Sequence, residues 1–230
     1  MKLFMKVCRN FATVPSDPNN ILFFSSFGNL RWGGQRSLYH LVTRLDRDRY
    51  RPVVLLPTDE DLAEALRARG VEVVIHELPP LRLMNPMSCL SSIRNLMRLV
   101  ATCNISLMHT DGPRNTLYAG LVARRSTTTT PAGSGLTGNP PSADSVSRRK
   151  SIPVVFHVRA SKRDRYDRII YGCATRIILV AGSLRNRFDW AKDNCKFRTI
   201  YNGVDLKQFD ERASTPPTVE TRVLSDNGIT

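Results

Sequence analysis

The sequence predicts an α/β fold, a parallel sheet with helices on both faces. Three observations predict it. Short apolar runs rich in strand formers alternate along the chain with segments whose apolar residues recur at helical spacing. The runs are continuous, as in Ile21-Leu22-Phe23-Phe24, which suits strands buried on both faces rather than strands with one wet face. Glycine, proline and capping residues punctuate the alternation at the places where helices should start and stop.

Taken in order, residues 1–20 end in VPSDPNN, a turn-rich stretch read as a flexible leader. Strand 21–27 follows. Gly33-Gly34 opens a helix over 34–46 that places Leu38, Leu41, Val42 and Leu45 on one face. RPVVLL, Arg51 to Leu56, is the second strand. Thr58 is placed to cap the next helix, with Asp59, Glu60 and Asp61 at its positive end. Gly70 ends that helix, and Val71 to His76 forms the third strand. After a proline-rich loop, Met87 to Thr102 has helical spacing, and Ile105 to His109 is the fourth strand. Pro113 begins a helix that runs to about Arg125. Residues 126–150 have almost no large apolar side chains and read as a disordered insertion. Order resumes with IPVVFHV from Ile152, a basic helix over Lys162 to Cys173, and a strand over Thr175 to Val180. A helix capped by Ser183 and a seventh strand, Lys196 to Tyr201, complete a domain spanning 21–210, with 211–230 read as a disordered tail.

Composition narrows the partners. The chain has 230 residues and a formal net charge of +14, so its surface attracts anions. Five scattered cysteines, Cys8, Cys89, Cys103, Cys173 and Cys195, show no paired or metal-ligand spacing and read as reduced core residues of a cytoplasmic protein. No apolar run approaches the roughly 20 residues needed to span a bilayer. Arg159, Lys162, Arg163, Arg165 and Arg168 form a basic run broken by Asp164 and Asp167. It suits a solvated helix face with i,i+4 ion pairs, or peripheral contact with anionic lipid. No aromatic stripe interleaves the basic residues, so nucleic acid is not indicated.

Ligands of open parallel sheets bind at the carboxyl ends of the strands. There the sequence places Gly33-Gly34, His109-Thr110-Asp111, His157-Val158-Arg159, Ser183 and Asn202-Gly203. Glycines let the backbone approach a ligand, and the unpaired N–H groups of a first helical turn favour an anion. The pair also suits a tight βα turn that binds nothing, and both alternatives stand on the residues alone. His157, after Val154-Val155-Phe156, is placed either to contact a polar ligand or to sit satisfied in the core.

Three stretches carry a resemblance: the glycine turn FGNLRWGGQRSL, the strand end FHVRA (Phe156 to Ala160), and TIYNGVDLKQF (Thr199 to Phe209). Together they resemble the N-terminal domain of GT-B glycosyltransferases of the retaining family 4. The resemblance implies a Rossmann-like acceptor-binding domain, with chemistry in a cleft against a C-terminal donor domain that this sequence does not carry. It therefore implies an incomplete enzyme, inactive alone. Gly33 and Gly34 would face the donor phosphates, His157 would be the catalytic group, and His109 and Arg159 would line the cleft. The implied partners are a nucleotide-sugar and a sugar or lipid-linked acceptor, with no metal and no cofactor beyond the donor. A non-catalytic basic domain that binds an anion, an anionic lipid surface or nucleic acid is the alternative.

Overall fold

The computed structural model describes residues 18–81, 86–128 and 150–203. Seven strands form one parallel sheet: β1 (Asn19–Phe24), β2 (Tyr50–Leu56), β3 (Glu72–Ile75), β4 (Ile105–Thr110), and, after a two-stranded ladder of β5 (Thr127–Thr128) and β6 (Lys150–Ser151), β7 (Val154–Val158), β8 (Arg176–Leu179) and β9 (Phe197–Thr199). Their order is β3-β2-β1-β4-β7-β8-β9, and every neighbouring pair is parallel. The order reverses between β1 and β4, which opens a crevice beyond their carboxyl ends.

Alternation along each strand sorts the core into two faces. Phe23, Val54 and Leu56 pack against α1 (Gly33–Thr43) and α2 (Asp61–Ala68) through Leu38, Val42, Leu62 and Leu66. Leu22, Phe24, Val53 and Leu55 face α3 (Pro86–Thr102) and α4 (Pro113–Ala123) through Leu96, Leu99, Tyr118 and Val122. Farther along the sheet, Phe156, Val158, Ile177 and Leu179 pack on α5 (Asp167–Cys173) and a 3₁₀ segment, Gly182–Phe188.

The structure corrects several local expectations. β1 starts at Asn19, inside the expected leader, because the buried Asn20 amide donates to the Cys103 carbonyl at 2.7 Å and ties the strand to the end of α3. Leu41 is 39% exposed; the buried face of α1 is Gln35, Leu38 and Val42, and the helix stops before Leu45. Glu60 rather than Thr58 is the N-cap of α2, and the Thr58 hydroxyl donates to Glu60 Oε1 instead. The basic helix spans only Asp167–Cys173, and a 3₁₀ segment replaces the helix after Ser183. The two ends of the expected insertion pair as the β5–β6 ladder. The rest of it (129–149), the leader through 17 and the tail over 211–230 lie outside the described residues. Cys89 and Cys103 are buried as expected of core thiols, whereas Cys195 is exposed.

Candidate functional site

The site is built where β1, β4 and β7 end. His109, near the end of β4, and His157, near the end of β7, project to the α1 side of the sheet because their neighbours Met108, Phe156 and Val158 fill the opposite core. Their rings meet edge to face, 5.3 Å between centroids at 85°, and Phe23 packs against His109 at 5.1 Å. Both histidines are buried. His109 is 6% and His157 7% exposed, so neither ring is open to solvent.

Arg159 links the expected site residues. Its Nη1 donates to the Gly34 carbonyl, and its Nη2 lies 3.4 Å from His157 Nδ1. A β-carbon at Gly34 would come within 2.9 Å of Arg159 Nη1, so the glycine makes room for the guanidinium; at Gly33 a β-carbon would meet nothing. The first turn of α1, whose N-cap Trp32 makes no side-chain cap, thus sits beside a fixed cation.

Burial sets the protonation of the histidines. It pushes His157 down to about 4, with the nearby Arg159 charge adding to the effect. It pushes His109 down to about 3, followed by the influence of His157 and Arg159. Both rings are neutral at pH 7. If His157 Nδ1 accepts from Arg159, its proton sits on Nε2, a buried atom with no protein partner among the described residues. Burial also lowers the Arg159 pKa, opposed by the Asp111 carboxylate.

Asp111, at the end of β4, ties the loops together. It accepts from the Ser26 N–H at 3.1 Å, the Ser26 hydroxyl at 2.9 Å, Asn115 Nδ2 at 3.0 Å and Gln35 Nε2 at 3.4 Å. Burial raises its pKa, and these donors and Arg159 pull it back. Gly112 permits the approach, since a β-carbon there would lie 2.6 Å from Ser26 Oγ. On the far side of this hub lies a cavity of about 580 Å³. Leu55, Leu78, Leu81 and Leu117 line it, with Ser26, Arg114, Asn115 and Arg165 among its polar groups. The third expected stretch also arrives here: the Ser37 hydroxyl of α1 donates to Asn202 Oδ1 at 3.0 Å. The remainder of that motif, from Val204 on, lies outside the described residues.

The basic run does not form the expected i,i+4 pairs. Arg163 donates to Asp189 at 2.5 Å, Arg165 lies over the Tyr166 ring at 4.7 Å, and Arg168 lies over Trp190 at 5.1 Å. Asp167 instead forms a buried pair with Arg187, at 2.6 Å. The sequence reading puts Asp111 at a strand end without giving it a role and does not single out Gln35 or Asn115. Gln35 directly follows the glycine pair and Asp111 closes the β4 segment, so position was the available signal.

Comparison with known proteins agrees with this fold. The profile of Glycosyltransferase Family 4 matches residues 32–208. A glycosyltransferase from Rickettsia africae superposes with a TM-score of 0.64 at 13% identity, over 93% of this chain and 51% of that one. Anabaena HepE in complex with UDP and glucose gives a TM-score of 0.55 at 15% identity, over 82% of this chain and 46% of that one. Acinetobacter baumannii MurG gives 0.53 at 14%, over 82% and 46%. The chain thus spans about half the length of these structures. Comparison with curated proteins gives no match. The architecture is that of a GT-B N-terminal domain. No helix among the described residues is long and apolar enough to cross a membrane.

Proposed function

Because the chain belongs to Glycosyltransferase Family 4, we propose that it supplies the acceptor-side half of an enzyme that transfers a sugar from a nucleotide-sugar. One observation carries this: a single arginine joins the glycine turn and the strand-end histidine at one rim, with Arg159 donating to the Gly34 carbonyl and contacting His157. The costly event in such a transfer is departure of a nucleoside diphosphate. The N–H groups at Gly33 and Gly34 and the Arg159 charge are placed to stabilise phosphate oxygens. In this reading His157, whose buried Nε2 has no protein partner among the described residues, is the group that contacts the transferred sugar, with the His109 ring packed edge to face against it. The cavity beyond Asp111 takes the acceptor. Arg165, exposed on the cavity lining, and the exposed Lys162 of the same run suit an acceptor presented at an anionic lipid surface of the cytoplasm. A donor-side domain supplies the facing wall, and the described residues alone do not turn over. No metal or further cofactor enters the proposal.

UDP accompanies the HepE structure, so UDP and UDP-glucose are the first ligands to titrate. Weak binding of UDP by the full chain is expected. Losing a charge-assisted contact in R159M should weaken it by about tenfold to a hundredfold. Equal binding by R159M, or none by the parent chain, would refute the assignment. Binding of DNA with a steep salt dependence and no response to UDP would favour a general anion-binding domain.

A further inference from the structure

The start of α1 has a second arginine beside it. The Trp32 carbonyl accepts from the Gln35 and Arg36 N–H groups at 3.1 and 3.2 Å, while the N–H groups of Gly33 and Gly34 pair with nothing among the described residues. Neither glycine has a side chain to cover them. Arg159 reaches this turn from the end of β7 and is tied to the Gly34 carbonyl. Arg36 reaches it from the helix itself. A long side chain on a helix leans toward the N-terminus and lies over the preceding turn. Arg36 does so, with its Nε donating to the Leu30 carbonyl at 3.0 Å, two residues before the N-cap.

The two guanidiniums approach from opposite sides. The Leu30 N–H donates at 3.0 Å to Asp61 Oδ1 of α2, the helix that joins β2 to β3. The sheet order puts β2 and β3 on one side of β1, and β7 on the other. The loop that aims Arg36 is fixed at a further point, where the Leu62 N–H donates to the Gly28 carbonyl at 3.2 Å. A cation held this way is ordered before an anion arrives. Arg36 is exposed, and its Nη1 and Nη2 pair with no group among the described residues. A single phosphate is served by the open N–H groups and one guanidinium. A diphosphate brings a second set of oxygens for the other.

We propose that Arg36 binds the second phosphate of the nucleoside diphosphate. Arg36 and Arg159 then clamp the two phosphates across the start of α1 and select diphosphates over monophosphates. The proposal rests on the phosphate-binding role given above to Gly33, Gly34 and Arg159, and adds a residue that this role did not include.

UDP and UMP are titrated calorimetrically against the full chain, R36Q, R36K and R31Q, each first shown folded by its melting curve. Arg31 is an exposed arginine of the same loop whose side chain no hydrogen bond holds among the described residues, so R31Q removes an equal charge and leaves the clamp. The parent should prefer UDP to UMP. R36Q should weaken UDP about fivefold, the scale of one partly exposed charge pair, and UMP by less than about twofold. R36K keeps the charge and should lie closer to the parent than to R36Q. R31Q should stay within about twofold of the parent. R36M repeats the measurement if R36Q melts early. The inference is overturned if R36Q binds UDP like its parent, if R36K is no better than R36Q, if R31Q loses as much as R36Q, or if R36Q loses UDP and UMP equally. R159M is titrated alongside. A loss there with R36Q unchanged removes this inference and leaves the donor-phosphate assignment standing, whereas no UDP binding by the parent removes both.

Discussion

Removing Arg187 should destabilise the wall on which the site is hung without unfolding it. Arg187 and Asp167 are 5% and 4% exposed, so the pair has almost no water to fall back on. Arg187 Nε and Nη2 reach Asp167 at 3.0 and 2.6 Å, and Nη1 donates to the Ala160 carbonyl at 3.1 Å. Ala160 follows Arg159 directly, so this bond anchors the segment that carries the site's cation. R187M keeps most of the side chain's length and strands a buried carboxylate. Breaking such a pair from one side costs about 3–5 kcal/mol. The Asp164 N–H still donates to Asp167 Oδ2 at 2.9 Å, which argues for the lower end. Against a typical domain stability of about 5–15 kcal/mol, a loss of about 3 kcal/mol is severe but survivable. With a urea slope of about 2–3 kcal/mol/M, the unfolding midpoint should fall by about 1–1.5 M. D167L/R187M leaves no stranded charge and should recover more than half of that loss. A midpoint shift below about 0.3 M, or a double variant no better than R187M, would refute the claim that charge burial dominates here.

Acid should destabilise the domain through the two site histidines. An unfolded histidine binds its proton near 6.5, whereas folded His157 and His109 bind near about 4 and 3. Between those values the unfolded chain holds more protons, so the contribution is complete above pH 6.5 and is lost as pH falls. By pH 5 the loss is about 2 kcal/mol per histidine, and melting curves of H109L against the parent over pH 7.5 to 4.5 should show a shallower decline in the variant. G34A should displace Arg159 and weaken UDP binding severalfold, because its β-carbon would sit 2.9 Å from Nη1, whereas G33A should bind normally; calorimetric titration of both separates the two glycines. G120A should cost about 1–3 kcal/mol in urea unfolding, since its β-carbon would come within 2.6 Å of Cys173 where α4 and α5 cross.

The site sits at the carboxyl ends of the central strands β1, β4 and β7. The crevice between β1 and β4 is bordered by loops, which the Asp111 hub and the Arg159–Gly34 bond fasten together. Ser26, Gln35 and Asn115 come from three elements, and each donates to one carboxylate. Arg159 and His157 are not among the residues that line the cavity, whereas Ser26 and Asn115, which both donate to Asp111, are.

Much of this was legible in the residues themselves. Seven parallel strands, their order along the chain and the helices that follow Gly34 and Pro113 are written in apolar spacing and turn chemistry, which act over a few neighbours. The same holds for the placing of Gly34, His157 and Arg159 at strand ends. What spacing could not show was that these three touch. Gly34 and Arg159 are 125 residues apart, and their contact exists only because β1, β4 and β7 are adjacent in the sheet. Leu41 failed as a core residue because helical period selects a stripe, while the sheet beneath selects which part of the stripe is covered. The helix expected from Lys162 begins only at Asp167, whose carboxylate forms a buried pair with Arg187, a partner that local propensity does not see. Sequence alone determined which elements form, since that depends on neighbours in the chain. Tertiary structure decided which side chains share a site and which charges lose their water, since those depend on neighbours in space.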